Sequence, residues 1–450
     1  MRTGTGVLEH GIKGIVAGVF VAAAMAGGAN ANSEFSYATQ PVPSQISSPA
    51  ASTSATLLPV VLPSPSPIVP PRDAPAVRRT TAPFSPAPNT SAPPPPDSIW
   101  LGNDDTVTVP IVLHGERPFI QVVIDGHPAT AVVDTAAVET LIDAGATGDR
   151  DTTEAISLQI GDLRFPRLRA ARARVRAYTE TYLGAGADAI IGRDLMQRYP
   201  ISLDFPNRSL TVFRESHGSI AAQPAGAVSM TLRMIDGRPA VAGSVDGQPP
   251  MWFALSTGAS YEVQLDSVAG RASHPPHGQH SIPFRDSRIP GGDYSGVLVR
   301  ARSLTLGSLA FNQPLLALPS TRLTQPTSEL AGVIGAMTLT RLSLSIDELA
   351  GSVTIVASQG ATAARLYNLS GITLEMRNGT IVVLSVVPGT PADAARIREG
   401  DEIVTINGLA PATLDFARQL LDGSPGTKIS IAYRRWHLIH HVTLPLHVII

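Results

Sequence analysis

The chain has 450 residues, no cysteine, and a net charge of −2 from 34 Lys and Arg against 36 Asp and Glu. This length allows two to four domains, and the absence of cysteine excludes disulfides and thiolate metal sites. A general nucleic-acid-binding protein would be basic, so the near-neutral charge argues against nucleic acid as a partner.

The N-terminal segment has the pattern of a secretory signal peptide over residues 1–31. Arg2 and Lys13 precede an apolar run at residues 14–27, and Ala29-Asn30-Ala31 supplies the small-x-small cleavage pattern. We expect a periplasmic or secreted protein, or a membrane-anchored one if the segment is not cleaved. Residues 32–100 are rich in Pro, Ser and Ala, and they predict a disordered linker because they cannot bury enough apolar surface to fold.

The first folded unit, residues 101–216, begins with strand patterns that lead to an acidic residue. Apolar residues alternate from Val107 to Leu113, and a strand at residues 119–124 meets the turn Asp125-Gly126. The returning strand ends at Asp134-Thr135. An aspartate at the end of an apolar strand is costly to bury, so we expect it to have a partner or a function.

The same order of features recurs in residues 226–358, which indicates a domain duplication. Ser256-Thr257-Gly258 falls where Asp134-Thr135-Ala136 falls in the first copy, and Val333-Ile334-Gly335 matches Ile190-Ile191-Gly192. The second copy is longer after the motif, and its extra residues include a glycine-rich stretch at residues 290–296.

The duplicated unit resembles the retropepsin-like aspartic proteases. The resemblance is carried by residues 132–137, an apolar pair before Asp-Thr-Ala-Ala, and by the apolar-apolar-Gly turn at residues 190–192. It implies two β lobes and peptide hydrolysis by two aspartates that share one proton, one acting as base on a water and the other polarising the scissile carbonyl. Asp134 would be the catalytic carboxylate, with Thr135 as its hydrogen-bonded neighbour.

Three features depart from this family pattern. Ser256 stands where the second aspartate is expected, so Ser256, Thr257 and Gly258 form a degenerate copy of the site. Ala136 replaces a Gly in a tight turn, where an added methyl group is expected to fit poorly. The flap that closes over substrate is expected only in the second copy, at Gly291, Gly292 and Tyr294.

Three arrangements are compatible with these departures. Two chains could form a homodimer through their first copies and bring two Asp134 side chains together. The two copies could instead pack as lobes of one site, with Asp134 opposite Ser256, and such a site is expected to be weak or inactive in standard aspartic catalysis. In the third arrangement the fold is retained only as a peptide-binding scaffold.

The last unit, residues 365–450, resembles a PDZ domain. The resemblance is carried by Leu369-Ser370-Gly371-Ile372, by residues 388–392 and by the Gly-Asp-x-Ile-x-x-Ile-Asn-Gly run at residues 400–408. PDZ domains capture peptide C-termini by adding the extended peptide to a sheet edge, while backbone amides hold the carboxylate. The resemblance places peptide binding at Leu369, Ser370, Gly371 and Ile372.

We therefore predict a mostly β protein with two acid-protease-like lobes followed by a PDZ domain. The predicted function is an exported aspartic-type endopeptidase, active only if Asp134 finds a second carboxylate, whose PDZ domain binds peptide C-termini and recruits protein or peptide substrates. The alternative is a catalytically inactive pseudoprotease that acts as a peptide-binding adaptor. No cofactor and no metal site are predicted, because the sequence has no phosphate-binding Gly loop and no convincing ligand set.

Overall fold

The computed structural model describes residues 98–145, 152–216, 226–266, 280–286, 294–320 and 328–450. The predicted signal peptide, nearly all of the predicted linker, and Gly291 and Gly292 of the predicted flap lie outside these residues. Among the helices that the structure describes, none is long and apolar enough to cross a membrane.

The first lobe is built of strands with two helices near its end. Its elements are β1 (Ile99–Trp100), β2 (Thr106–Pro110), β3 (Val112–His114), β4 (Arg117–Ile124), β5 (His127–Val133), β6 (Leu141–Asp143), β7 (Thr153–Ile160), β8 (Leu163–Ala173), α1 (Val175–Leu183), β9 (Ala189–Ile191), α2 (Arg193–Met196), β10 (Ile201–Asp204) and β11 (Ser209–Phe213). Helix α1 buries Val175, Thr179 and Leu183, which recur every four residues and so share one face. It ends at Gly184, whose φ of 78° is the left-handed conformation that glycine adopts most readily.

The second lobe repeats this order with an additional strand. Its elements are β12 (Val228–Thr231), β13 (Arg233–Ile235), β14 (Arg238–Val245), β15 (Met251–Leu255), β16 (Val263–Leu265), β17 (Ser281–Asp286), β18 (Tyr294–Arg300), β19 (Ser303–Leu306), β20 (Leu309–Asn312), β21 (Leu315–Pro319), β22 (Leu330–Ile334), α3 (Ala336–Leu339), β23 (Leu342–Asp347) and β24 (Ser352–Ala357). Strand β17 is the addition and pairs with β18, which pairs with β21 as the first part of β7 pairs with β8 in the first lobe. The predicted flap includes Tyr294, the first residue of β18.

The two lobes share the same central pairing of strands. In the first lobe β9 lies between β5, to which it is parallel, and β6, to which it is antiparallel. In the second lobe β22 lies in the same way between β15 and β16. This correspondence agrees with the domain duplication inferred from the sequence, and it puts the two motif segments at equivalent strand ends.

One six-stranded sheet joins the lobes, in the order β12-β24-β23-β10-β11-β2. At its centre β10 of the first lobe pairs antiparallel with β23 of the second, with Leu203 opposite Leu344. Both leucines are fully buried, in a hydrophobic core to which both lobes contribute. The two copies therefore pack against each other within a single chain.

The predicted strand from Val107 to Leu113 is divided in the structure. Strand β2 joins the shared sheet by pairing with β11, whereas β3 pairs with β4 inside the first lobe. Between them the Ile111 amide donates to the carbonyl of Arg208 at 2.7 Å. The alternating pattern is the same on both sides of this break, so periodicity alone could not reveal that the strand changes sheets.

The C-terminal unit has its own sheet and its own core. Its elements are β25 (Ile372–Arg377), β26 (Thr380–Val386), α4 (Pro391–Ala394), β27 (Glu402–Ile406), α5 (Leu414–Leu421), β28 (Lys428–Arg435) and β29 (Leu438–Pro445). The sheet runs β25-β26-β27-β28-β29, so β25 is an edge strand. Thr413 caps α5 by accepting a hydrogen bond from the Phe416 amide at 3.2 Å. The predicted mostly β architecture is confirmed.

Candidate functional site

The two motif segments meet at the interface of the lobes. Asp134 follows β5 and its amide donates to the carbonyl of Ile191 in β9 at 3.0 Å. Ser256 follows β15 and its amide donates to the carbonyl of Ile334 in β22, also at 3.0 Å. Each motif residue is thus held at the end of a parallel strand pair, and the two face each other within one chain.

Reciprocal threonine hydrogen bonds lock the two segments together. The Thr135 hydroxyl donates to the carbonyl of Leu255 at 2.7 Å and accepts from the Thr257 amide at 3.2 Å. The Thr257 hydroxyl donates to the carbonyl of Val133 at 2.6 Å and accepts from the Thr135 amide at 3.2 Å. Both threonines are fully buried, so each bond is made where water cannot replace it.

The carboxylate of Asp134 is buried between the loops of both lobes. Its Oδ1 atom accepts from the Ala136 amide at 3.0 Å, from the Ser256 hydroxyl at 3.1 Å and from the Gly258 amide at 3.2 Å. Ser256 Oγ in turn accepts from the Ala259 amide at 3.1 Å. One carboxylate therefore accepts hydrogen bonds from amides of both loops, and the Ser256 hydroxyl faces it from the equivalent position of the second lobe.

This environment changes the acidity of Asp134. Burial raises the pKa of its carboxyl above the ordinary range, because the charged form loses its hydration. The hydrogen bonds from Ala136, Ser256 and Gly258 and the charge of Arg117 act in the opposite direction but do not outweigh burial. The site can hold one proton on this carboxyl group, and no second carboxyl group lies beside it among the residues that the structure describes.

Two buried arginines flank Asp134, and the sequence interpretation did not include them. Arg117 is 6% exposed and donates to the carbonyl of Gly258 at 3.3 Å and to the Ser260 hydroxyl at 2.7 Å. Arg238 is 1% exposed; burial lowers its pKa, while the charges of Asp236 and Asp134 act to raise it.

A sequence signal for the two arginines was present. Arg117-Pro118 begins β4 and Arg238-Pro239 begins β14, so the same dipeptide recurs at equivalent positions of the two copies. Comparison of the copies beyond the Asp motif would have found them. They bring two positive charges to a site with one carboxylate.

Space around Asp134 is small. A cavity of about 10 Å³ lies beside it, which is room for about one water molecule. Its lining residues are Arg117, Val132, Asp134, Tyr178, Thr179, Leu183, Ile190 and Gly258. Three of them belong to α1, so this helix covers the carboxylate from the side of the first lobe.

The predicted flap is only partly within the described residues. Tyr294 is the first residue of β18, and nothing is described of its side chain. The base of the hairpin is described: Ile282 and Phe284 of β17 and Leu298 of β18 pack in one hydrophobic cluster with Val387 and Ile449 of the C-terminal unit. The role of Gly291, Gly292 and Tyr294 stays a prediction.

The predicted peptide-binding loop of the C-terminal unit is buried and internally bonded. Leu369, Ser370 and Ile372 are at most 6% exposed. The Gly371 amide donates to the carbonyl and the side-chain oxygen of Asn368, both at 3.0 Å, and the Ile372 amide donates to the Ser370 hydroxyl at 3.2 Å. A peptide carboxylate would have to compete for these two amides.

Among the residues that the structure describes, no group of three His, Cys, Asp or Glu side chains is placed to hold a metal ion. The site is therefore described by its carboxylate, its hydroxyls and its two arginines.

Comparison with known proteins identifies the C-terminal unit. The PDZ domain family matches residues 370–446. A segment of 70 residues is 46% identical to the "Carboxyl-terminal-processing peptidase 3, chloroplastic" of Arabidopsis thaliana, and this match covers 14% of each protein. Among solved structures, the aspartic proteinase from Irpex lacteus aligns over 57% of this chain and 98% of that one, with 9% identity and a TM-score of 0.34.

These comparisons differ in what they establish. The alignment to the aspartic proteinase is too weak to carry an argument about the lobes. The match to the processing peptidase spans only a seventh of that protein and says nothing of its remaining parts. The sequence motif, the edge strand β25 and the family match agree for the last unit, and residues 370–446 of this chain form a PDZ domain.

Proposed function

We propose that this chain is a protease-related peptide-binding protein, in which a degenerate aspartic-protease-like pair of lobes is joined to a PDZ domain that takes peptide C-termini. The observation that carries the proposal is the 3.1 Å hydrogen bond from the Ser256 hydroxyl to Asp134 Oδ1. Standard aspartic catalysis needs two carboxyl groups that share a proton, and a serine hydroxyl cannot ionise to play the second part near neutral or acidic pH.

The two arginines strengthen this proposal. Arg117 donates hydrogen bonds to Gly258 and Ser260 of the second lobe, and an arginine side chain does not give up its proton in proteins. Arg117 and Arg238 therefore suit a structural ion cluster between the lobes better than a proton relay. The likeness of a segment to a carboxyl-terminal-processing peptidase supports a protease-related setting for the PDZ domain.

A second candidate is the aspartic-type endopeptidase predicted from the sequence. It is favoured by the raised pKa of Asp134, because a proton-holding carboxyl group is one half of what such an enzyme needs. This candidate requires another carboxylate to reach Asp134. In a homodimer built through two Asp134 side chains, Ser256 would first have to leave its place. An exported location belongs to both candidates and stays a prediction.

One experiment on the full chain separates the candidates. Purified protein is incubated with a mixed peptide library from pH 3 to pH 7, with and without a pepstatin-type inhibitor. Fluorescent peptides with a free C-terminal carboxylate are then titrated beside the same peptides with an amidated C-terminus. We expect binding that depends on the free carboxylate and no cleavage. Cleavage that the inhibitor blocks and that Asp134→Asn abolishes would establish the endopeptidase instead.

A further inference from the structure

We propose that the C-terminal end of helix α1 is an internal occupant of the PDZ peptide groove, so that a peptide C-terminus binds only when α1 leaves. This inference rests on the proposed peptide-binding function and names what regulates it. The groove of a PDZ domain lies between an edge strand, to which the peptide adds, and a neighbouring helix. Here these elements are β25 and α5.

Helix α1 lies against both walls of this groove. It packs along β25, the strand whose outer edge would receive the peptide. At its C-terminal end, the carbonyl of Tyr182 accepts a hydrogen bond from the Arg418 guanidinium of α5 at 2.8 Å. The last carbonyls of a helix have no intrahelical partner, so Arg418 satisfies a group that would otherwise require water.

The cap residue of α1 is fitted closely to α5. A Cβ atom built on Gly184 would lie 2.6 Å from Cβ of Leu414, so only glycine allows this approach. Leu414 and Arg418 are one turn apart and lie on the same face of α5. That face is therefore turned toward the first lobe, and it is covered over at least one helical turn.

A second contact holds the start of α5. The carboxylate of Asp415 accepts from the Gly115 amide at 3.0 Å and is paired with His114 Nδ1 at 2.8 Å. Beside it, Arg365 pairs with Glu116. These lobe residues are the last residue of β3 and the two turn residues before β4, which begins with Arg117. The same turn thus contacts the PDZ helix and carries an arginine to the Asp134 site.

Helix α1 also links the groove to Asp134. Tyr178, Thr179 and Leu183 line the cavity beside the carboxylate, while Tyr182 and Gly184 contact α5. Movement of α1 out of the groove would therefore uncover the Asp134 cavity as well. The internally bonded amides of Gly371 and Ile372 agree with a groove that holds no peptide carboxylate in this state.

The test uses a variant that pushes α1 away without altering the PDZ domain. In Gly184→Ala the new methyl group would meet Leu414, which is fully buried and cannot retreat. Gly126→Ala is the matched control, because Gly126 has a φ of +82° against +78° for Gly184 but nothing within 4 Å of a built Cβ. Both variants place an alanine at nearly the same positive φ, and only Gly184→Ala adds a steric clash at the groove.

The probe is a pool of fluorescent heptapeptides with randomised last four residues and a free carboxylate, with the amidated pool as reference. We expect Gly184→Ala to bind the carboxylate pool at least about tenfold more tightly than the wild type and Gly126→Ala to bind as the wild type does. A tenfold gain corresponds to a groove that is open about 10% of the time or less in the wild type. Equal affinity in all three proteins would overturn the inference while leaving the proposed peptide binding intact.

Hydrogen exchange gives an independent readout that needs no peptide. Amides of β25 should exchange faster in Gly184→Ala than in Gly126→Ala, because the edge strand loses its cover. Unchanged β25 exchange would overturn the inference. Faster exchange together with no binding of either pool by any variant would support the inference and defeat the proposed function, so the two can fail separately.

Discussion

The two motif loops have the same backbone arrangement and different side chains. The threonine bonds are matched, with hydroxyl-to-carbonyl distances of 2.7 Å from Thr135 and 2.6 Å from Thr257. The residues before them differ, since Asp134 has a carboxyl group and Ser256 has a hydroxyl group. The comparison teaches that both copies have the hydrogen bonds that hold the lobes together, whereas only the first copy has a carboxyl group at the motif position.

At the position after each threonine, the second loop has the glycine of the motif and the first loop does not. The first loop has Ala136 and the second has Gly258, and a Cβ built on Gly258 would lie 2.2 Å from Asp134 Oδ2. Because the loops are related by the reciprocal threonine bonds, we infer that the Ala136 methyl faces the side of the site that holds Ser256. A short side chain at 256 leaves room for that methyl group, so the two departures from the family pattern compensate each other.

The structure corrects the expectation about Ala136. An added methyl group at position 136 was expected to fit poorly in the turn. Ala136 is 2% exposed, has no positive φ, and still donates its amide to Asp134 Oδ1 at 3.0 Å. The turn therefore accommodates the methyl group.

Replacing Ser256 should have the largest effect. Ser256→Asp places a second carboxyl group against Asp134 and against the Ala136 methyl group, so we expect a loss of about 3–5 kcal/mol near neutral pH. Ala136→Gly in the same chain should recover about 1–3 kcal/mol of this loss by removing the steric part. Urea unfolding followed by the fluorescence of Trp100 and Trp252 measures both. Strictly additive effects of the two substitutions would contradict the proposed compensation.

Substitutions at the position after each threonine should have the next largest effect on stability. Gly258→Ala should destabilise the chain by about 3 kcal/mol, because the methyl group meets the buried Asp134 carboxylate, which three hydrogen bonds hold in place. The matched change in the other loop, Ala136→Gly, should alter the free energy of unfolding by about 1 kcal/mol or less. Similar losses of stability in Gly258→Ala and Ala136→Gly would contradict a steric difference between the two loops.

The threonines should respond equally to substitution. Thr135→Ala and Thr257→Ala each leave a buried carbonyl and a buried amide without a side-chain partner, so each should cost about 2 kcal/mol. The thermal unfolding midpoints of the two variants are then expected to coincide. A large difference between them would mean that one lobe depends on the contact more than the other.

The smallest effect is a change in how stability depends on pH. Because burial raises the pKa of Asp134, its contribution to stability is fully present below its ordinary unfolded value and is lost as the pH rises through the raised folded value. Between these values the wild type should lose at most about 1.4 kcal/mol per pH unit relative to Asp134→Asn. The asparagine oxygen can keep the three hydrogen bonds that Oδ1 accepts. Parallel pH profiles for the two proteins would contradict the raised pKa.

Much of the candidate site could be predicted from particular residues of the sequence. The alignment of Asp134-Thr135 with Ser256-Thr257 predicted which residues correspond, because both follow an apolar strand and both copies retain the later apolar-apolar-Gly turn. The PDZ domain was predicted from the Leu369-Ser370-Gly371-Ile372 loop and from the runs at residues 388–392 and 400–408, and the family match confirms it. The catalytic role of Asp134 and Thr135 stays a prediction.

Other features could not be predicted from the sequence. The division of the strand at residues 107–113 depends on which sheet has an open edge, and the alternating pattern is the same for either sheet. Arg117 and Arg238 read as ordinary residues at the start of strands, because nothing local says that a guanidinium group will be buried beside a carboxylate. Covering of the PDZ groove by α1 depends on contacts between residues more than 200 positions apart in the sequence.

The sequence by itself determined the duplicated strand order, the serine at the position that matches Asp134 and the C-terminal PDZ domain, because these depend on local patterns and their spacing. Only the tertiary structure decided that Ser256 faces Asp134 within one chain, that two arginines flank the carboxylate, and that α1 lies both beside Asp134 and in the PDZ groove. The physical reason is that burial and side-chain pairing arise from the packing of distant segments, and an isolated motif carries no record of what lies opposite to it.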